Sequence, residues 1–146
     1  MGDGGFALDD GQGGVALLTA EDLGNRAAQP RIFFANACNS ADTGAGADAA
    51  RLQGGQETIS LVPGLLRGGV RAFVGSMWRV DDRAAATFAK AFYATLLQAG
   101  RQDTVARPSV GEAVRAGREA VIRLHGAAQP AWAAYALYGV PWVRAV

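Results

Sequence analysis

The chain has one cysteine, one histidine and one lysine among its 146 residues. A single cysteine excludes an internal disulfide, and a reducing cytosol is its simplest setting. Cys38 and the distant His125 cannot assemble a metal site between them, so neither a metal nor an organic cofactor is expected. No apolar run approaches the ~20 residues of a membrane span. The first residues, Met1-Gly2-Asp3-Gly4-Gly5, lack the positive region and apolar core of a signal peptide. We therefore expect a cytoplasmic protein with no membrane partner. Runs of basic charge are missing too. The 13 arginines are scattered, as at Arg26, Arg51, Arg67, Arg83, Arg115 and Arg123, and 13 acidic residues bring the formal net charge to +1. The electrostatic footprint of nucleic-acid binding is absent, so no nucleic-acid partner is expected. Neither an internal repeat nor a linker divides the chain.

Half of the residues are hydrophobic (50%), enough to bury a core, and the length suits one α/β domain over residues 1–146. Its centre is Arg31–Ser40, reading Arg-Ile-Phe-Phe-Ala-Asn-Ala-Cys-Asn-Ser. Ile32-Phe33-Phe34-Ala35 is a continuous apolar run rather than an alternating one, the pattern of a strand covered on both faces. A buried strand is expected over Arg31–Ala37. Cys38 then stands at its C-terminal end, where open α/β sheets present functional side chains. A lone cysteine is otherwise a small buried hydrophobe. Asn39–Gln56, rich in Ala and Gly, reads as a long loop, either a functional lid or a surface insertion.

Around this centre the spacing places other elements. Phe6–Leu18, with turn residues between Asp9 and Gly14, is expected to be a β-hairpin. Thr19 and Asp22 have the form of a capping box for a helix over Ala20–Ala28, which Pro30 ends. A helix is expected over Thr58–Arg67, with Pro63 tolerable only in a first turn. Val70–Met77 is a second buried strand, parallel to the first through a βαβ unit. Asp81 or Asp82 caps a helix over Arg83–Ala99, with Ala85, Phe88, Phe92, Leu96 and Ala99 on its apolar face. Ser109 and Glu112 form another capping box, for a helix over 109–124 whose stripe is Val110, Val114, Gly117, Val121 and Leu124. Trp132–Tyr138 reads as a final strand.

Asn36-Ala37-Cys38 after an apolar strand, followed by Gly75-Ser76-Met77-Trp78-Arg79-Val80-Asp81-Asp82, resembles the CHAT domains, caspase-like cysteine peptidase domains related to separase. The resemblance runs over nearly the whole chain and covers the C-terminal half to two-thirds of such a domain. It implies a caspase-like αβα sandwich with a mostly parallel sheet, here lacking the family's N-terminal strands. It also implies cysteine endopeptidase chemistry. Cys38 would be the nucleophile, and its own N–H would be one oxyanion donor. The family's second donor is a glycine N–H next to a catalytic histidine that precedes the cysteine, and the motifs align Gly2 with that glycine. The loop after Ser76-Met77-Trp78 would border the specificity pocket, making Asp81, Asp82 and Trp78 substrate-binding candidates. As alternatives, one of the two aspartates is only a helix cap, and Trp78 is core.

The family's histidine has no counterpart here. His125, at a helix end, suits the helix dipole rather than the role of a base. We therefore expect the C-terminal part of a cysteine endopeptidase domain with an incomplete dyad, cut from a longer chain or misassigned at its start. The third alternative is a truncated relic. Expected partners are a protein or peptide substrate, and a missing N-terminal half or helical-repeat domains of a parent chain. The alternative is a catalytically inactive CHAT-like module for protein–protein interaction. A redox-sensing thiol at Cys38 is a third reading.

Overall fold

Backbone pairing in a computed structural model bears out the opening hairpin. The structure describes residues 5–9, 11–12, 14–19, 22, 29–36, 61–98 and 107–145. β1 (Gly5–Asp9) and β2 (Val15–Thr19) pair antiparallel, with Gly5 opposite Thr19 and Asp9 opposite Val15. Thr19 makes the reciprocal bonds expected of it. Its N–H and hydroxyl donate to Asp22 Oδ2 at 2.9 and 2.7 Å, and the Asp22 N–H donates to Thr19 Oγ1 at 3.1 Å. The rest of the helix expected over Ala20–Ala28, the loop Asn39–Gln56 and Ala99 of the helix expected over Arg83–Ala99 lie outside the described residues.

A second sheet has three strands in the order β3-β4-β5, where β3 is Ile32–Ala35, β4 is Ala72–Ser76 and β5 is Tyr135–Gly139. Ile32 lies opposite Ala72 and Ala35 opposite Gly75 in a parallel pair, as the βαβ reading requires. β5 joins antiparallel, with Ser76 opposite Tyr135 and Ala72 opposite Gly139. The mostly parallel sheet is therefore met by β3–β4 alone. Two successive helices separate β4 from β5, so the chain is carried away from the end of β4 and back again before β5 begins. The expected strand Trp132–Tyr138 also starts later than its apolar pattern suggested. Pro130–Ala133 is a 3-10 turn with Pro at its start, and the Trp132 indole N–H donates to Ala127 O at 3.1 Å.

Both faces of this sheet are covered, which is why its strands are continuously apolar. Phe33, Ala35, Phe73, Ala136 and Tyr138 face a smaller core with Val62, Leu65 and Val70. Val62 and Leu65 belong to α1 (Leu61–Arg67), and residues 58–60 of the expected helix lie outside the described residues. Pro63 sits in its first turn, where its missing N–H costs no bond. Ile32, Phe34, Ala72, Val74, Tyr135 and Leu137 face the larger core, built with α2 (Asp82–Leu96) and α3 (Val110–His125). The layers are helix, sheet and helix pair. β4 is buried along its whole length, but β3 is half-buried except at Ala35. Among the described residues β4 lies between β3 and β5.

The larger core is aromatic. The Phe34 ring stacks on Phe92 at 4.7 Å between centroids, and Phe88 on Tyr135 at 3.7 Å. Each such pair contributes about 0.5–1.5 kcal/mol beyond its buried area. α2 buries Ala84, Phe88, Phe92 and Leu96 and leaves Ala85 half-buried. α3 buries Val110, Ala113, Val114, Gly117, Ala120 and Val121. Leu124, assigned to this stripe by its spacing, is 66% exposed. The last turn of α3 passes beyond the aromatic core, and there His125 makes the contact with α2. Gly117 is where α3 meets the Phe88 ring, because a Cβ would stand 2.8 Å from two of its carbons.

Candidate active site

The parallel register brings the C-terminal ends of β3 and β4 to one edge of the sheet. Asn36 follows β3 there and Met77 follows β4. Asn36 is held by a residue 99 positions away: the Tyr135 hydroxyl donates to Asn36 Oδ1 at 2.6 Å. Tyr135 is itself fixed. It is 1% exposed, its ring lies flat on Phe88, and its carbonyl accepts from Arg118 Nη2 at 2.7 Å. A buried phenol needs a partner for its hydroxyl, and here that need ties the start of β5 to the exit of β3. Sequence reasoning placed Tyr135 in an apolar strand and missed this bond. The signal was available in a tyrosine within an otherwise apolar run, but not the identity of its partner.

Cys38, the nucleophile candidate two residues beyond Asn36, lies outside the described residues, as does Gly2. The other candidates are described. At the end of β4, Ser76 is buried, while Met77 and Trp78 are each 38% exposed. The core alternative for Trp78 is therefore corrected. The Met77 N–H donates to Ala134 O at 2.8 Å, one step beyond the Ser76–Tyr135 pair, and the indole that follows stands partly in solvent. Asp81 is the cap of α2: Oδ1 accepts from Arg83 N–H at 2.9 Å and Oδ2 from Ala84 N–H at 3.3 Å. Asp82 is the first residue of the helix and is exposed. One of the paired aspartates thus serves the backbone, and the other has a free approach from solvent.

His125 stands in the last turn of α3, with Nε2 3.0 Å from Thr87 Oγ1. It joins two helices and does not follow a strand, which is where the expected base would stand. Among the described residues no group of three or more His, Cys, Asp or Glu is placed to hold a metal ion. No described helix is long and apolar enough to cross a membrane. The arrangement offers an ordered strand exit, an adjoining loop with an exposed tryptophan, and a carboxylate beside it.

Comparison with known proteins agrees with this architecture. Residues 2–140 match the CHAT domain family. No curated protein sequence matches the chain. Among solved structures, it is similar to the Saccharomyces cerevisiae separase–securin complex, with a TM-score of 0.57 and 19% identity over 86% of this chain. The match covers 8% of that much longer chain, and at this identity it speaks for the fold.

Proposed function

The chain belongs to the CHAT domain family, and from that premise we propose that it is the C-terminal part of a caspase-like cysteine endopeptidase domain, with Cys38 as nucleophile and a base that these residues do not include. The observation that carries the reading is the strand exit. Asn36 is pinned by the buried Tyr135 hydroxyl at the edge where the Met77–Asp81 loop also emerges, and Cys38 follows it two residues later in the sequence. A thiolate there attacks a peptide carbonyl carbon and a C–S bond forms. The Cys38 N–H and a glycine N–H, with Gly2 the candidate, hold the oxyanion. The thiol proton passes to the histidine and then to the departing amine, and water releases the acyl group. Trp78 and the exposed Asp82 border the substrate, with Asp82 selecting a basic side chain. Asp81 shapes the same loop by capping α2. The environment is cytoplasmic, and the partners are a peptide substrate and the rest of a parent chain.

The test is cleavage of an unstructured protein substrate by the parent polypeptide. Cys38→Ser should abolish turnover, and His125→Ala should leave it within about twofold. Activity that survives Cys38→Ser overturns the reading. A second reading is favoured by the one histidine in the chain being engaged with Thr87 at 3.0 Å: an inactive CHAT-like module that binds a protein partner. The separase neighbour was solved in complex with securin, so the fold is compatible with that role. A parent polypeptide without turnover that still retains a partner selects it.

A further inference from the structure

The opposite end of the sheet concentrates positive charge. Arg31 precedes β3 and Arg71 precedes β4, and because those strands are parallel their starts lie together. The N–H groups of Arg71 and Ala72 both donate to Arg31 O, at 2.9 and 3.1 Å. β5 is antiparallel and so finishes at this same end, with the Val140 N–H donating to Arg71 O at 2.9 Å. The tail beyond β5 then folds over the start of α3. Val143 O accepts from Val110 N–H at 2.8 Å, and Arg144 Nε donates to Arg107 O at 2.6 Å. Arg31, Arg71, Val140, Trp142, Val143 and Arg144 line an open groove of about 510 Å³.

Among the described residues, three arginines and no acidic residue line this groove. In a chain of formal net charge +1, that is a local excess. Glu112 attracts Arg144 from the α3 side, but its carboxylate is taken by the Ser109 N–H and hydroxyl at 2.7 and 2.9 Å. Neither Arg31 nor Arg71 has an ion pair among the described residues. Trp142 projects beside them and is 71% exposed, more than any other large apolar side chain described. Arginine and tryptophan are the residues that most often anchor protein interfaces. Arginine's planar fork matches a carboxylate bidentately.

We propose that this groove docks an acidic peptide segment of a partner protein. Arg31 and Arg71 clasp its carboxylates, Arg144 closes one side, and Trp142 covers an apolar side chain of the segment. The site lies at the other end of the strands from Asn36, so it stands or falls independently of the role of Cys38. A peptide is favoured over a nucleic acid because a single compact group of arginines beside an exposed indole fits a short segment better than an extended phosphate backbone.

The test titrates the purified chain into a fluorescein-labelled dodecapeptide of Asp, Glu and Leu and follows anisotropy. We expect saturable binding that weakens about tenfold in Arg71→Glu and in Trp142→Ala. It should also weaken between roughly 50 and 300 mM salt. The Asn/Gln version of the peptide should not bind. Arg31→Lys and Arg71→Lys keep the charge and guard against misfolding. Each should retain salt-dependent binding at reduced affinity, because the fork is lost. Thermal melts of all variants establish that they are folded. The proposal is overturned by no saturable binding, by equal binding of the Asn/Gln peptide, or by full affinity in folded Arg71→Glu. It is also overturned if a single-stranded oligonucleotide of equal charge binds more tightly than the peptide.

Discussion

Gly117→Ala adds one methyl group at the tightest contact between α3 and the aromatic core. Its Cβ would lie 2.8, 2.8 and 3.0 Å from three carbons of the Phe88 ring. Ordinary carbon–carbon contact needs about 3.5–4.0 Å, so the ring must move by about 0.7 Å or α3 must lift. The ring has little room to move. Phe88 is 0% exposed and lies 3.7 Å from the Tyr135 ring at an interplanar angle of 11°. Overpacking of this kind costs about 1–3 kcal/mol. Against it, alanine in a helix interior gains about 1 kcal/mol over glycine. With the ring this confined the clash falls in the upper part of that range, about 2–3 kcal/mol, so the net is a destabilisation of about 1–2 kcal/mol and a Tm lower by roughly 3–8 °C. Thermal unfolding followed by circular dichroism reads it directly. In a Phe88→Leu background the obstacle is gone, and the same substitution should be neutral or stabilising, a coupling that a double-mutant cycle isolates. A Tm equal to or above wild type for Gly117→Ala alone, or an equal loss in both backgrounds, refutes the reasoning.

Other perturbations probe other parts of the structure. Gly139 has φ +95° and a Cβ there would run into the Arg71 carbonyl, so Gly139→Ala should cost more than the roughly 1–2 kcal/mol of a left-handed backbone alone, measured by urea denaturation. Asp81→Ala should lose about 1 kcal/mol with the α2 cap while Asp81→Asn, an equally good cap, keeps nearly all of it. An equal loss in both would mean that the charge, not the cap, matters. Tyr135→Phe removes the bond to Asn36 and should lower stability by about 1 kcal/mol, and hydrogen exchange at Ala35 and Asn36 should quicken. The Ser109 N–H and then the Ser109 hydroxyl hold the Glu112 carboxyl below its ordinary value of 4.5. Because the folded value is the lower one, the stabilisation is complete above the unfolded value and is lost as pH falls through the folded one. Wild type should therefore out-melt Glu112→Gln at pH 7, and the gap should narrow as the pH falls below the ordinary value of 4.5.

Local signals carried most of the fold. The hairpin, both capping boxes and the Asp81 cap each rest on residues within a few positions of one another, where side chain and backbone have few alternatives. The unbroken apolar runs at Ile32–Ala35 and Ala72–Val74 disclosed a sheet covered on both faces. The direction of β5 was not legible, because it depends on how many helices return the chain across the sheet. Nor was the late start of β5, set by the Pro130 turn and the Trp132 indole bond. Leu124 fits the helical period, but period alone cannot tell where the neighbouring surface ends. Near the candidate site, the strand was readable from the sequence, although it was expected to run to Ala37 and β3 ends at Ala35. The clamp on Asn36 was not, since the hydroxyl that holds it comes from 99 residues away. The groove of Arg31, Arg71 and Arg144 was hidden for the same reason, because scattered arginines become a cluster only when strand ends meet.

The most direct measurement of the central claim is the pH dependence of Cys38 alkylation by iodoacetamide. It should be made on the 146-residue chain and on the same chain with any in-frame upstream sequence included. The account predicts that the chain alone reacts as a free thiol titrating near ~8.5. With a histidine strand ahead of it, reaction should begin at markedly lower pH, and peptide cleavage should appear with it. A histidine-bearing chain whose Cys38 still titrates as a free thiol and cleaves nothing would contradict the peptidase account and leave the binding module in its place.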